Sequence, residues 1–177
     1  MPVAFPITED EARALYTTHE ARVYRFALLA TRTHALAADI TQETFIRAFR
    51  SYGSFDHSRP FEPWLLRIAV NVTRTLTKRQ GRLMPDALPD AASTVPSPEW
   101  APIEAEERRA LWHALATLTA HQREILVLHF YNDLALTECA QVLGIPTGTA
   151  KSRLNSALGS LRSRLPSLDR EGRTTRG

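Results

Sequence analysis

The 177-residue chain has little of what most small catalytic or metal sites are built from. Its one cysteine, Cys139, excludes an internal disulfide and any site made of clustered thiolates. No glycines fall in a phosphate-cradling loop, and no serine stands in a nucleophile-elbow pattern. The histidines His19, His34, His57, His113, His121 and His129 include no pair with metal-ligand spacing beside a carboxylate. Apolar runs such as Ile125 to Leu128 fall far short of the roughly 20 residues that span a bilayer. Glu9, Asp10 and Glu11 occupy the stretch where a secretory signal needs a basic start and an apolar core. Neither sign of charge dominates, with 22 Lys and Arg against 19 Asp and Glu, net +3. These absences point to a soluble, cytoplasmic chain that is not an enzyme, carries no cofactor or metal and does not insert in a membrane. A nucleic-acid partner has to be read from where the charge lies rather than from its sum.

What is present is an ordinary globular composition, 44% hydrophobic and 23% charged. Between Gly81 and Ile103 stand Pro85, Pro89, Pro96, Pro98 and Pro102, which break any continuous helix and predict an extended linker. The patterns on either side have helical period and lack strand alternation. The expected fold class is all-α: two small helical domains, 1–80 and 104–168, joined by a proline-rich flexible linker over 81–103 and followed by a disordered polar tail, 169–177. Thr8 ahead of three acids predicts the first helix start, with Leu15, Val23, Phe26 and Ala30 on its core face. A second helix is expected from His34 to Ser51, ended by Tyr52-Gly53-Ser54. A third starts at Pro60 or Pro63 and stops at Gly81. Helices from about Glu104 to Thr117, after a Thr119 cap, from Thr137 to Leu143 and from Thr147 to about Leu165 complete the pattern.

The most informative segment runs from Thr137 to Asn155. Gly144 can take the left-handed conformation of a tight helix end, Pro146 stops the preceding helix, and Thr147 can cap the next. Ala140, Val142, Leu143, Ile145, Ala150 and Leu154 supply the apolar wedge between two crossed helices. This is the layout of a helix-turn-helix, whose second helix enters the major groove of duplex DNA. That helix offers Thr147, Thr149, Lys151, Ser152, Arg153 and Asn155, short hydroxyls and long donors suited to phosphates and base edges. From Thr147 to Leu165 there are four bases and no acid.

The third helix carries a second basic stripe, Arg67, Asn71, Arg74 and Lys78, at spacings of four, three and four. Ahead of it, Phe55 and Phe61 flank the polar loop Asp56-His57-Ser58-Arg59, an arrangement suited to unpaired bases, while Trp64 reads as a core anchor. On the second helix, Asp39, Gln42 and Glu43 share one acidic face and Phe45 and Phe49 point to the core; Glu43 and Arg47 are also an ordinary helix-supporting pair. Taken from the residues alone, two functions remain open. One is a conventional helix-turn-helix transcriptional regulator with an N-terminal dimerisation or sensing domain. The other is a protein that holds DNA with both lobes.

The segment Asp39-Ile-Thr-Gln-Glu-Thr-Phe-Ile-Arg-Ala-Phe49 resembles region 2.2 of the extracytoplasmic function (ECF) sigma factors, members of the sigma-70 family of bacterial RNA polymerase. Phe61-Glu-Pro-Trp-Leu-Leu-Arg-Ile-Ala-Val-Asn71 resembles regions 2.3 and 2.4. Leu118-Thr-Ala-His-Gln-Arg-Glu-Ile-Leu126 and Gly144-Ile-Pro-Thr-Gly-Thr-Ala-Lys-Ser-Arg-Leu154 resemble region 4. The resemblance implies promoter-specific transcription initiation, with 1–80 as sigma region 2 and 104–168 as sigma region 4. It implies that Asp39, Gln42 and Glu43 bind the β′ clamp helices of core RNA polymerase, and that the β flap is a further contact. It implies that Phe55, Asp56, His57, Ser58, Arg59, Phe61, Arg67, Asn71, Arg74 and Lys78 serve the −10 element as promoter DNA opens. Thr147, Thr149, Lys151, Ser152, Arg153 and Asn155 would read the −35 element. An anti-sigma factor and a monomeric free state are further implications. The chain departs from the family at Thr75, where many members carry an acid, and at Ala150, where Val is common.

Overall fold

The computed structural model describes residues 6–83 and 105–164, with side chains described over 6–81 and 109–164. The expected linker, apart from Gly81, Arg82 and Leu83, and the expected tail lie outside these residues. Seven α-helices make up the described chain: α1 Glu9–Thr31, α2 His34–Arg50, α3 Phe61–Leu83, α4 Ala105–Ala116, α5 Ala120–Leu126, α6 Leu136–Leu143 and α7 Thr147–Arg162. A 3-10 turn at Tyr52–Ser54 follows α2, and a five-residue π turn at Val127–Tyr131 continues α5. None of these helices is long and apolar enough to cross a membrane.

The starts and stops have local causes. Thr8 accepts a hydrogen bond from the Glu11 N–H, and the Glu11 carboxylate accepts one from the Thr8 N–H, a reciprocal cap that opens α1. Thr119 and Gln122 repeat the device at α5. Gly144 ends α6 at φ +66°, the left-handed conformation expected of it. Two expectations need correction. Gly81 does not stop α3, which runs on to Leu83; a single glycine lowers helix propensity by about 1 kcal/mol and does not remove a hydrogen bond. Thr147 does not cap α7 but is its first residue; Pro146 holds the cap position with no side-chain bond, its fixed φ suiting the entry to the helix.

Helices α1, α2 and α3 pack on one another, and α7 packs on both α5 and α6. Phe26, Ile40, Leu65, Leu66, Ile125 and Leu128 are fully buried. Each stabilises the fold by roughly 1.5–3 kcal/mol relative to exposure. The two halves also meet. Helix α3 lies against α6, α1 lies against α5 and the π turn, and the buried apolar residues of both halves form one cluster. Arg32, left-handed at φ 63° where α1 turns into α2, is buried with its guanidinium 5.5 Å from the Trp112 ring centre.

Candidate nucleic-acid interface

In the C-terminal half the expected wedge is in place. Ala140, Val142, Leu143, Ala150 and Leu154 are buried and Ile145 is half-buried, so α6 and α7 cross over a dry seam. Cys139 is fully exposed to none of the solvent, and burial pushes its thiol up to about 11, which makes it a structural residue rather than a nucleophile. The seam sets the outward face of α7. Thr147, Lys151, Ser152 and Asn155 are exposed there, while Thr149 and Arg153 are half-buried. The N-terminus of α7 carries free N–H groups and the positive end of the helix dipole, which favour a phosphate placed there. Gln122 Nε2 donates to Ser156 Oγ at 2.9 Å, tying α5 to this helix.

In the N-terminal half, the loop between α2 and α3 is organised by rings. The Phe55 centroid lies 5.4 Å from Phe61 and 5.0 Å from Trp64, and Tyr52 and His57 complete the group. Phe55 is therefore buried at 9% exposure and Phe61 half-buried. Trp64 packs on the core as expected. The loop tip stays polar: Asp56, His57, Ser58 and Arg59 are all exposed. Asp56 accepts from the Ser58 N–H at 3.0 Å and from its hydroxyl at 2.6 Å, which holds its carboxyl below the usual range. Arg59 pairs with Asp56 at 3.2 Å.

The stripe on α3 is divided. Arg67, Asn71 and Lys78 are exposed, but Arg74 is half-buried and engaged by the other half of the chain. Its Nε and Nη2 donate to the two oxygens of Glu124 at 3.2 and 2.9 Å, and the Glu124 side chain is 3% exposed. Arg67 shares a cleft of about 290 Å³ with Phe55, Arg59 and Trp64 on one wall and Glu138 and Gln141 on the other.

On α2, Asp39 and Gln42 are exposed and Glu43 is half-buried, and all three line a groove of about 780 Å³ between α2 and the end of α3. Phe45 is buried and Phe49 half-buried, on the opposite side as expected. Glu43 accepts from Arg47 Nε at 2.6 Å. The sequence reading missed the apolar floor of this groove, Leu36, Ile46 and Leu76, and the base Arg79 on its rim. Leu36 and Ile46 stand three residues before Asp39 and three after Glu43, a helical spacing that could have found them. It also missed Glu124, whose signal was a lone acid opening the apolar run Ile125 to Leu128. Among the described residues no group of three or more His, Cys, Asp or Glu is placed to hold a metal ion.

This arrangement has relatives. Residues 15–83 match the family model Sigma-70 region 2, and residues 114–163 match Sigma-70, region 4. The ECF RNA polymerase sigma factor SigE of Mycolicibacterium smegmatis is 34% identical over 170 residues, 91% of this chain and 66% of the relative. The RNA polymerase sigma factor CarQ of Myxococcus xanthus is 32% identical, covering 92% of this chain and 94% of its own length. ECF RNA polymerase sigma factor SigW of Bacillus subtilis is 34% identical over 75% of this chain and 76% of its own. In fold, the chain is similar to the sigma factor RpoE solved in complex with the anti-sigma factor NepR from Bartonella quintana. That match has a TM-score of 0.76 at 23% identity and covers 89% of this chain and 98% of the other. It is also similar to CnrH, solved with the cytosolic domain of CnrY, with a TM-score of 0.67 at 24% identity and 90% of each chain covered. With a helix-turn-helix in one half, a charged groove over an apolar floor in the other and relatives of this kind along nearly its whole length, the chain belongs to the ECF sigma factors, the sigma-70-family proteins that direct RNA polymerase to its promoters.

Proposed function

We propose that the two halves divide the work of promoter-specific initiation residue by residue. The outward face of α7, with Thr147, Thr149, Lys151, Ser152, Arg153 and Asn155, docks in the major groove of the −35 element. The loop Phe55 to Arg59, with Phe61 and the α3 stripe Arg67, Asn71, Arg74 and Lys78, takes bases and phosphates of the −10 element. Flipping a base out of the stack costs a few kcal/mol, and the ring cluster behind the loop tip supplies the stacking surface that offsets it. The groove bearing Asp39, Gln42 and Glu43 binds the β′ clamp helices of core polymerase, its apolar floor of Leu36, Ile46 and Leu76 adding buried area to the charged rim. The β flap contacts the C-terminal half.

We take residues 1–80 as the polymerase and −10 unit and 104–168 as the −35 unit. The free protein is a cytoplasmic monomer without catalytic chemistry or cofactor, and an anti-sigma factor covers the polymerase-binding surfaces of both halves. The observation that carries this reading is the pairing, on one chain, of an exposed basic recognition helix with a groove that sets charged residues of both signs around an apolar floor. A regulator that binds DNA alone has no use for the second. The test is size-exclusion chromatography with core polymerase of the same organism. A one-to-one complex, displaced by a known sigma factor and able to open an asymmetric promoter, is the expected result. Binding of a palindromic duplex as a dimer, with no affinity for core polymerase, would replace this reading with that of a conventional regulator.

A further inference from the structure

The contact between the halves is polar as well as apolar, and it is distributed over both edges. On one side Arg74 makes two bonds to Glu124 and its Nη1 donates to the Leu143 carbonyl at 3.5 Å. On the other, Arg123 Nε donates to the Ala30 carbonyl at 3.0 Å, Arg25 Nη1 donates to the Tyr131 hydroxyl at 2.6 Å, and Arg32 covers Trp112. Arg74 and Glu124 belong to different halves, so closing the halves forms the pair and parting them breaks it. Glu124 differs from the other charges here because its side chain is 3% exposed. A carboxylate withdrawn from water is tolerated only with a charged, hydrogen-bonded partner, and deleting that partner is strongly unfavourable. His121 Nδ1 lies farther from the same carboxylate, at 3.4 Å, and its side chain is exposed, so the two shorter Arg74 bonds are the principal partners of Glu124.

We infer that the free chain is self-closed, with Arg74 and Glu124 as the latch that holds α3 against α5 and α6 and withholds Arg74 from DNA. The last clause rests on the assignment of Arg74 to the −10 set; the latch does not. The closed form is incompatible with promoter binding by both halves. The two elements, named by position, lie about 25 base pairs apart, or roughly 85 Å at about 3.4 Å per base pair. A compact body of the size described has a radius of gyration of about 14 Å and is roughly 40 Å across. The twenty-one residues from 84 to 104 can extend up to about 70 Å, enough to let the halves part to the required distance. Opening exchanges Glu124 for the phosphates as the anion that Arg74 faces, so promoter DNA competes directly with the latch.

Single-molecule energy transfer on the full-length free protein tests the latch. Dyes go on cysteines placed at Ala21 on α1 and Gly159 on α7, both exposed; a side chain at Gly159 meets nothing within 4 Å. Cys139 is buried and does not compete for label. The unmodified latch should give one high-transfer population. Glu124→Gln and Arg74→Gln should each lower the mean transfer efficiency by at least half, and the exchange Arg74→Glu with Glu124→Arg should restore most of it. If Glu124→Gln fails to fold by circular dichroism, Arg74→Gln, altered from the more exposed side, carries the test. Wild-type transfer in a folded Arg74→Gln variant, or low transfer in the parent, would overturn the latch. No DNA is present in this experiment, so its result is independent of whether Arg74 contacts the −10 element.

Discussion

The Phe55 ring stands 5.0 Å from that of Trp64, and this contact anchors the loop between α2 and α3 to the core. A loop whose tip is wholly polar thereby acquires a fixed base. Phe55→Ala should destabilise the protein by about 3 kcal/mol, the usual cost of emptying a buried aromatic site. Arg59→Ala, at the exposed tip, should change stability by under about 0.5 kcal/mol while lowering promoter opening by the holoenzyme several-fold. Urea denaturation and permanganate footprinting of the −10 region separate the two. Equal loss of stability in both variants would contradict the division between anchor and tip.

Lys151 is exposed on the face of α7 and Arg153 is half-buried beside it. Lys151→Ala should lower −35 duplex affinity roughly equally for all sequences and reduce the slope of log affinity against log salt by about 1. A salt titration by fluorescence anisotropy reads this directly. An unchanged slope would remove Lys151 from the phosphate contacts.

Gly144 holds φ +66° with open space around the position where a Cβ would sit. The cost of Gly144→Ala is therefore conformational alone, about 1–2 kcal/mol for a left-handed residue. A loss of stability well below that range, measured by urea denaturation, would mean the turn had relaxed. Measured against −35 binding, the same variant reports how far recognition depends on the crossing of α6 and α7.

Glu43 is bonded to Arg47, so a variant there tests two effects at once. Losing the i,i+4 pair should cost a few tenths of a kcal/mol of stability. Asp39→Ala with Glu43→Ala should nonetheless weaken binding to core polymerase at least tenfold with helix content intact. Retained affinity in a competition assay would dissociate the α2 groove from polymerase.

Burial holds His19 below the ordinary histidine range; Arg22 acts in the same direction, and Glu62, 4.0 Å away, opposes both. The unfolded chain therefore takes up a proton before the folded one does. This contribution to stability is full above about pH 6.5 and declines as pH falls from there toward the lower folded value. His19→Gln should flatten the decline, by at most about 1.4 kcal/mol per pH unit. Urea midpoints at pH 7.5, 6.5 and 5.5 check it, and parallel curves for parent and variant would assign the acid sensitivity elsewhere.

Much of the fold is readable because its signals are local. The Thr8 and Thr119 caps, the Gly144 end and the helical stripes are set by neighbours within four residues. The wedge of α6 and α7 was legible for the same reason. The burial of Phe55 was not legible because it depends on Phe61 and Trp64, which reach it only once the loop has folded back. The pairing of Arg74 was not legible for a longer-range reason: its partner lies fifty residues away, across a segment whose prolines mark only a break. Position on a helix face tells which way a side chain points and not what another helix will bring to meet it.

Packing the halves together has a consequence for every partner alike. A ligand that takes only the parted form sees its affinity lowered by the fraction of molecules that are parted. If closure is favoured by about 2.8 kcal/mol, that fraction is about one in a hundred, and polymerase, promoter and any other ligand of the parted chain all bind about a hundredfold more weakly than their contacts alone dictate. The threshold for starting transcription is then a property of one internal equilibrium. Substitutions at Arg25, Arg32 or Arg123, far from either DNA-reading face, would reset it for all partners in the same proportion.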